Sequence, residues 1–185
     1  MREQSDTRTR IQAVALELFI EQGYEATSLR EIAERLGVTK AALYYHFKTK
    51  EDIVASLVQD RIEALEALLE WAQAQPPGPE LRRDLIRRYA EELHTAHHHD
   101  TMRFFERNQT ALRDHPKSER FREVMLGIVN VLSDPADPLT VQLKSSMAIL
   151  ALHATWFVLR DRDVTDEQRQ AAALAVALEL VDSSG

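Results

Sequence analysis

The chain reads as an all-α protein in two parts. An N-terminal three-helix bundle is followed by a longer helical region, about nine helices in all. Three observations predict this. Apolar residues recur at helical spacing along the whole chain, with no convincing two-residue alternation. All six prolines fall at Pro76, Pro77, Pro79, Pro116, Pro135 and Pro138, which leaves long unbroken segments between them. Residues 28–47 divide into two short helices about one glycine, a tight helical turn and not a strand pair.

The first helix covers about residues 7–22, with Ile11, Val14, Ala15, Leu18 and Phe19 on one face and Gly23 as its stop. The second opens on a capping box, in which Ser28 caps the N–H of Glu31 and Glu31 reaches back to the N–H of Ser28. Leu29, Ile32, Ala33 and Leu36 then form its apolar face, and Gly37 ends it in the left-handed conformation that glycine adopts without steric cost. Thr39 caps the third helix, 40–47. Leu43 and Phe47 face inward there, which leaves Lys40, Ala41, Tyr44, Tyr45 and His46 outside or at the border. A helix-turn-helix with basic and aromatic side chains on its second helix is how a DNA reader is built.

Thr49 caps a long fourth helix striped by Ile53, Val54, Leu57, Val58, Ile62, Leu65, Leu68 and Leu69. It ends before the stiff run Pro76-Pro77-Gly78-Pro79. The fifth helix is expected over 80–97, the sixth over 101–113, and the seventh over 116–132, where Gly127 weakens it. Residues 133–138 form a loop. The eighth helix covers 139–159. Thr165 and Gln168 make a second capping box for the ninth, 166–181. That last helix is small and apolar almost all round, so more than one of its sides must be buried. Either it is sandwiched within one chain, or it and the eighth helix pair with a second copy in a four-helix arrangement. The second arrangement is the cheaper burial for a chain this size.

Composition narrows the function. The 185 residues include no cysteine. There is therefore no disulfide, thiolate metal site or cysteine nucleophile, which suits the cytoplasm. The polar N-terminus has no apolar signal core, and no long uncharged apolar run predicts a membrane span. Net charge is −7, but residues 28–50 carry five basic residues against two acidic ones, whereas residues 51–185 carry 15 basic and 23 acidic. Positive charge thus sits where the reader would meet phosphate. No glycine-rich phosphate loop, nucleophile elbow or metal pair suggests an enzyme. A DNA-binding or scaffolding protein that answers to a protein partner is the rival reading.

The run Leu29-x-x-Ile-Ala-x-x-Leu-Gly-Val38, followed by Leu43-Tyr-Tyr-His-Phe-Lys-x-Lys50, closely resembles the DNA-binding domain of TetR-family transcriptional regulators. With residues 11–27 the resemblance covers roughly the first fifty residues. It implies a DNA-binding domain over 1–50 and a helical ligand-binding and dimerisation domain over 51–185. It further implies a regulator, most often a repressor, that binds operator DNA as a homodimer through the eighth and ninth helices and responds to a small molecule. Carried over residue by residue, Thr27 and Ser28 contact phosphate, and Tyr44, His46 and Lys50 contact phosphate or buttress the reading helix. Lys40, Ala41 and Tyr45 face the bases. The alternatives stay open for several of these. Tyr44 and His46 also fit packing roles, and Lys48 and Lys50 also fit ordinary solvated lysines.

The resemblance implies an effector pocket among the fourth to eighth helices. Candidate lining residues are Tyr89, His94, Met102, Phe104, Phe105, Asn108, Met125, His153, Trp156 and Phe157, a mixture that suits an apolar or amphipathic ligand and equally a core. His94, His97, His98 and His99 cluster, and His94 and His98 are four apart, as a metal site on one helix face would require. A helix C-terminus favours histidine for its own electrostatic reasons, so no metal is expected.

Overall fold

The computed structural model describes residues 2–93, 101, 104, 118–159 and 162–183, except for the side chains of 2–5, 118 and 155–157. Among these residues the fold is all helical: α1 (Arg2–Glu21), α2 (Leu29–Leu36), α3 (Lys40–His46), α4 (Lys50–Gln73), α5 (Pro79–Leu93), α6 (Ser118–Leu132), α7 (Leu139–Val158) and α8 (Asp166–Asp182). Of the expected sixth helix only Thr101 and Phe104 are described, both helical and buried. None of the described helices is long and apolar enough to cross a membrane.

The local signals act as expected. Ser28 and Glu31 form the reciprocal box at the start of α2, and Thr165 and Gln168 do the same for α8. Gly37 sits at φ 73°, and the Val38 N–H beyond it returns to the Ala33 carbonyl at 3.0 Å. Thr39 accepts the Ala42 N–H, and α3 stops at His46 because Phe47 is already extended. Two boundaries move. α1 begins at Arg2, since a charged first turn needs no apolar partner to be helical. α5 begins at Pro79, because proline costs nothing at a first helical position, where the missing N–H has no partner anyway.

The chain divides into two compact units, Met1–Ile62 with Thr95–Ser118, and Glu63–His94 with Glu119–Gly185. The chain passes between them inside α4. In the first unit, Ile11, Ala15, Leu16 and Phe19 of α1 close on Leu29 and Ile32 of α2, Leu43 and Phe47 at α3, and Ile53 and Leu57 of α4. A polar clamp lies beside this core. The amide of Gln12, 4% exposed, donates to Ser56 at 2.9 Å and to Asp60 at 2.5 Å, and Arg8 reaches Asp60 at 3.2 Å.

In the second unit α8 packs on α7 and on α5. Its inner side, Ala173, Ala177 and Val181, is covered within the chain, whereas Ala172, Ala175 and Val176 are exposed. The reading in which the all-round apolar helix is covered within one chain is thus met on its inner side. Gly127 is no defect in α6. A Cβ there would fall 2.6 Å from a methyl of Leu69, so the missing side chain lets Leu69 of α4 approach closely.

Candidate nucleic-acid interface

α3 is fixed from within by Leu43, fully buried, and by Phe47 just past its end. Anchoring that side presents the other. Lys40, Ala41 and Ala42 are exposed, His46 and Tyr44 are half-buried, and Tyr45 stands 69% exposed. The Lys40 ammonium lies over the Tyr44 ring at 5.3 Å, and the rings of Tyr45 and His46 meet edge-on at 5.3 Å. Tyr44 also packs against the core, so the packing alternative for it is realised alongside its border position.

The remaining expected contacts are committed elsewhere in the molecule. Thr27 is 2% exposed, and its hydroxyl donates to the Gly23 carbonyl at 2.8 Å. Ser28 is exposed, but its hydroxyl donates to the Glu31 carboxylate at 2.7 Å and its N–H does the same at 2.7 Å. These bonds from the Ser28 side chain and backbone hold the Glu31 carboxyl below the usual glutamate range. The Lys48 ammonium donates to the Tyr44 carbonyl and closes the end of α3. The Lys50 ammonium donates to the Tyr24 carbonyl at 2.6 Å. The sequence thus placed nine residues in one reader, and the fold brings Lys40, Ala41, Tyr45 and His46 together on its outer side, with Thr27 buried, Lys50 bonded to the turn after α1, and the exposed Lys48 bonded to the end of α3.

In the second unit three of the candidate pocket residues do meet. The Tyr89 hydroxyl, on a residue 1% exposed, lies 2.9 Å from His153 Nε2 and 3.8 Å from the Met125 sulfur. The rings of Tyr89 and His153 pack edge-on at 5.8 Å. Phe104 belongs elsewhere: it is buried in the first unit against Phe19 at 5.2 Å and Tyr24 at 5.7 Å. That corrects its expected pocket role, because an aromatic beside two other aromatics is simply core there. His94, Met102, Phe105 and Asn108 lie outside the described residues, as do the side chains of Trp156 and Phe157. The histidines at 97–99 lie outside as well, and among the described residues no three metal-ligating side chains gather.

Residues 11–57, which span the second half of α1, α2, α3 and the start of α4, match the family model for bacterial regulatory proteins of the tetR family. Over that stretch the chain is similar to the DNA-binding domain of the TetR family. Its N-terminal part is 46% identical over 82 residues to the HTH-type transcriptional regulator AcrR of Shigella flexneri, which is 43% of this chain and 37% of that relative. It is 37% identical over 78 residues to the HTH-type transcriptional repressor BepR of Brucella suis biovar 1, again 37% of the relative. The matched stretch therefore spans well under half of each relative. Whole-chain likeness appears in structure. AmtR of Mycobacterium smegmatis superposes with a TM-score of 0.62 at 24% identity, covering 94% of this chain and 85% of that one. FadR of Bacillus subtilis, solved in complex with stearoyl-CoA, gives 0.61 at 19% identity, covering 95% and 96%. At such identities the likeness shows the fold.

Within this fold, sequence reading missed the residues that hold the reader in place. Tyr24 donates from its hydroxyl to Glu51 at 2.9 Å, and burial together with that carboxylate raises its pKa. Gln12 and Asp60 join α1 to α4. Both links join residues 27 and 48 positions apart. Periodicity within one helix carries no signal for such pairs.

Proposed function

We propose that this TetR-family chain is a transcriptional repressor that acts in the cytoplasm, binds a palindromic operator as a homodimer and is released by a small molecule. DNA reading belongs to residues 1–50, and effector binding and pairing to residues 51–185. The observation that carries the reading is the outer side of α3, where Lys40, Ala41 and the exposed Tyr45 project from a helix pinned by Leu43 and Phe47. Lysine donates to guanine O6 and N7, alanine touches a thymine methyl, and tyrosine does either through ring or hydroxyl.

Pairing is supported by a stripe on α7. Leu139, Leu143, Met147 and Leu150 recur at helical spacing, exposed by 81, 62, 44 and 55%, with Val176 of α8 at 49%. Apolar exposure on this scale marks an interaction surface. Two chains then present two reading helices to successive major grooves. The effector is an apolar or amphipathic small molecule. Tyr89, Met125 and His153 supply its polar and polarisable contacts, and His94, Met102, Phe105, Asn108, Trp156 and Phe157 complete the candidate lining.

The test begins with selection of duplexes from a random pool by the full chain. The selected sequence should be palindromic, and log affinity should fall linearly with log salt. Lys40→Ala should cost about 1–3 kcal/mol and relax preference at one base pair per half-site. Equal loss on every operator variant would contradict its base-reading role, and a single half-site without symmetry would contradict the dimeric reading.

A further inference from the structure

We propose that Gln12 sets the spacing at which the two operator half-sites are read, by fixing the reading helix against the stretch of α4 that leaves the first unit. The inference rests on the dimeric DNA-binding reading above and adds a positioning residue to it.

Gln12 stands among Ile11, Ala15 and Leu16 on the buried side of α1 and is itself 4% exposed. It lies too deep to meet DNA. A buried amide costs free energy unless its hydrogen bonds are made, and an apolar side chain of similar length would fill the place without that cost. What the amide adds is direction. Apolar contacts let two helices slide or roll, whereas a hydrogen bond tolerates only a few tenths of an ångström and a limited angle.

Its bonds run to one stretch of α4. The amide nitrogen donates to the Ser56 hydroxyl at 2.9 Å and to the Asp60 carboxylate at 2.5 Å. Ser56 donates in turn to the Ile53 carbonyl at 2.7 Å, which leaves its lone pairs to accept from Gln12. The other Asp60 oxygen accepts from Arg8, whose guanidinium lies 5.7 Å from the centre of the Phe47 ring. Phe47 is the residue that ends α3 and pins it. Contacts thus run unbroken from the end of the reading helix through Arg8 and Asp60 to Gln12 and Ser56. All these residues belong to the first unit, whose last α4 residue is Ile62, and α4 continues as one helix to Gln73.

Half-site spacing is where such a clamp shows. One base pair added between half-sites moves the far site by about 3.4 Å and turns it by about 35°. A reading helix clamped to α4 cannot follow both changes, whereas one that rolls on α4 follows them in part. Loss of the clamp therefore costs discrimination between spacings, and a general loss of stability weakens every spacing alike.

The experiment compares three full-length proteins. They are the wild type, Gln12→Met, which keeps the length and loses the amide, and Leu57→Ala, which removes buried apolar contact from α4 and leaves the clamp intact. Each is titrated with the duplex that the wild type selects and with duplexes one base pair longer or shorter between the half-sites. Conditions are those in which circular dichroism shows all three fully helical, and amide exchange is measured on each without DNA. In Gln12→Met the preference for the selected spacing should fall roughly tenfold, the scale of one hydrogen bond to a charged acceptor, with faster exchange across residues 53–62. Leu57→Ala should unfold at lower urea and keep the wild-type preference. Equal loss on every spacing in Gln12→Met overturns the proposal, as does a preference lost as fully in Leu57→Ala. If the wild type selects no symmetric duplex, the DNA reading falls. Faster exchange in Gln12→Met then upholds the clamp, and unchanged exchange overturns it.

Discussion

Charging the α7 stripe should dissociate the proposed dimer without unfolding the chain. The perturbation is Leu143→Glu with Leu150→Glu, two positions on one face that are 62 and 55% exposed in the single chain. Burying a whole leucine is worth about 1.5–3 kcal/mol, so the part left uncovered here is worth about 1–2 kcal/mol for each side chain. A two-fold interface contains each residue twice, so the double variant forfeits about 4–8 kcal/mol per dimer before any cost of desolvating carboxylates. At 1.4 kcal/mol per decade, association weakens by roughly three to six orders of magnitude. Sedimentation equilibrium should show a monomer, and circular dichroism an unchanged helix content. Binding to the selected duplex should fall with the paired half-site contacts. Ala177→Glu is the contrasting variant. Ala177 is fully buried inside its own chain, so a carboxylate there should cost helix content and not only pairing. A double variant that stays dimeric at wild-type concentration would refute the reasoning. So would one that unfolds, because the stripe would then be core.

Two further outcomes follow from the N-terminal unit. Gly37→Ala should destabilise by about 1–2 kcal/mol in urea unfolding, because φ 73° is strained for alanine although nothing lies within 4 Å of the added Cβ. Acid should weaken this unit through Glu31, held down by the Ser28 hydroxyl and then its N–H, and Glu51, held down by its own N–H and then the Tyr24 hydroxyl. A depressed carboxyl contributes stability above its unfolded value and loses it as pH falls through the folded one. The melting temperature should therefore drop as pH goes below about 4.5, the ordinary glutamate value. Glu31→Ala should show a shallower drop, and an identical profile would count against the link.

Local chemistry determined the elements. A capping box, a left-handed glycine and a threonine cap involve residues three or four apart, so Ser28, Gly37, Thr39 and Thr165 announced α2, α3 and α8 in the sequence, and the inward residues Leu43 and Phe47 followed from period alone. The helix-turn-helix and the outward set Lys40, Ala41 and Tyr45 were legible for the same reason. What each remaining polar side chain bonds to was not. Lys50 and Tyr24 are 26 residues apart, and an ammonium looks the same in sequence whether it meets a phosphate or a carbonyl. The packing of α4 against the turn sets which carbonyl it meets within the chain. The last helix shows the same division: composition required more than one of its sides to be buried, but α5 and α7 decided that Ala173, Ala177 and Val181 are covered and which residues stay outside. Hydrogen bonds and apolar contacts act over a few ångströms, so what lies beside a residue in the chain is fixed by sequence, and what lies beside it in space is fixed by the fold.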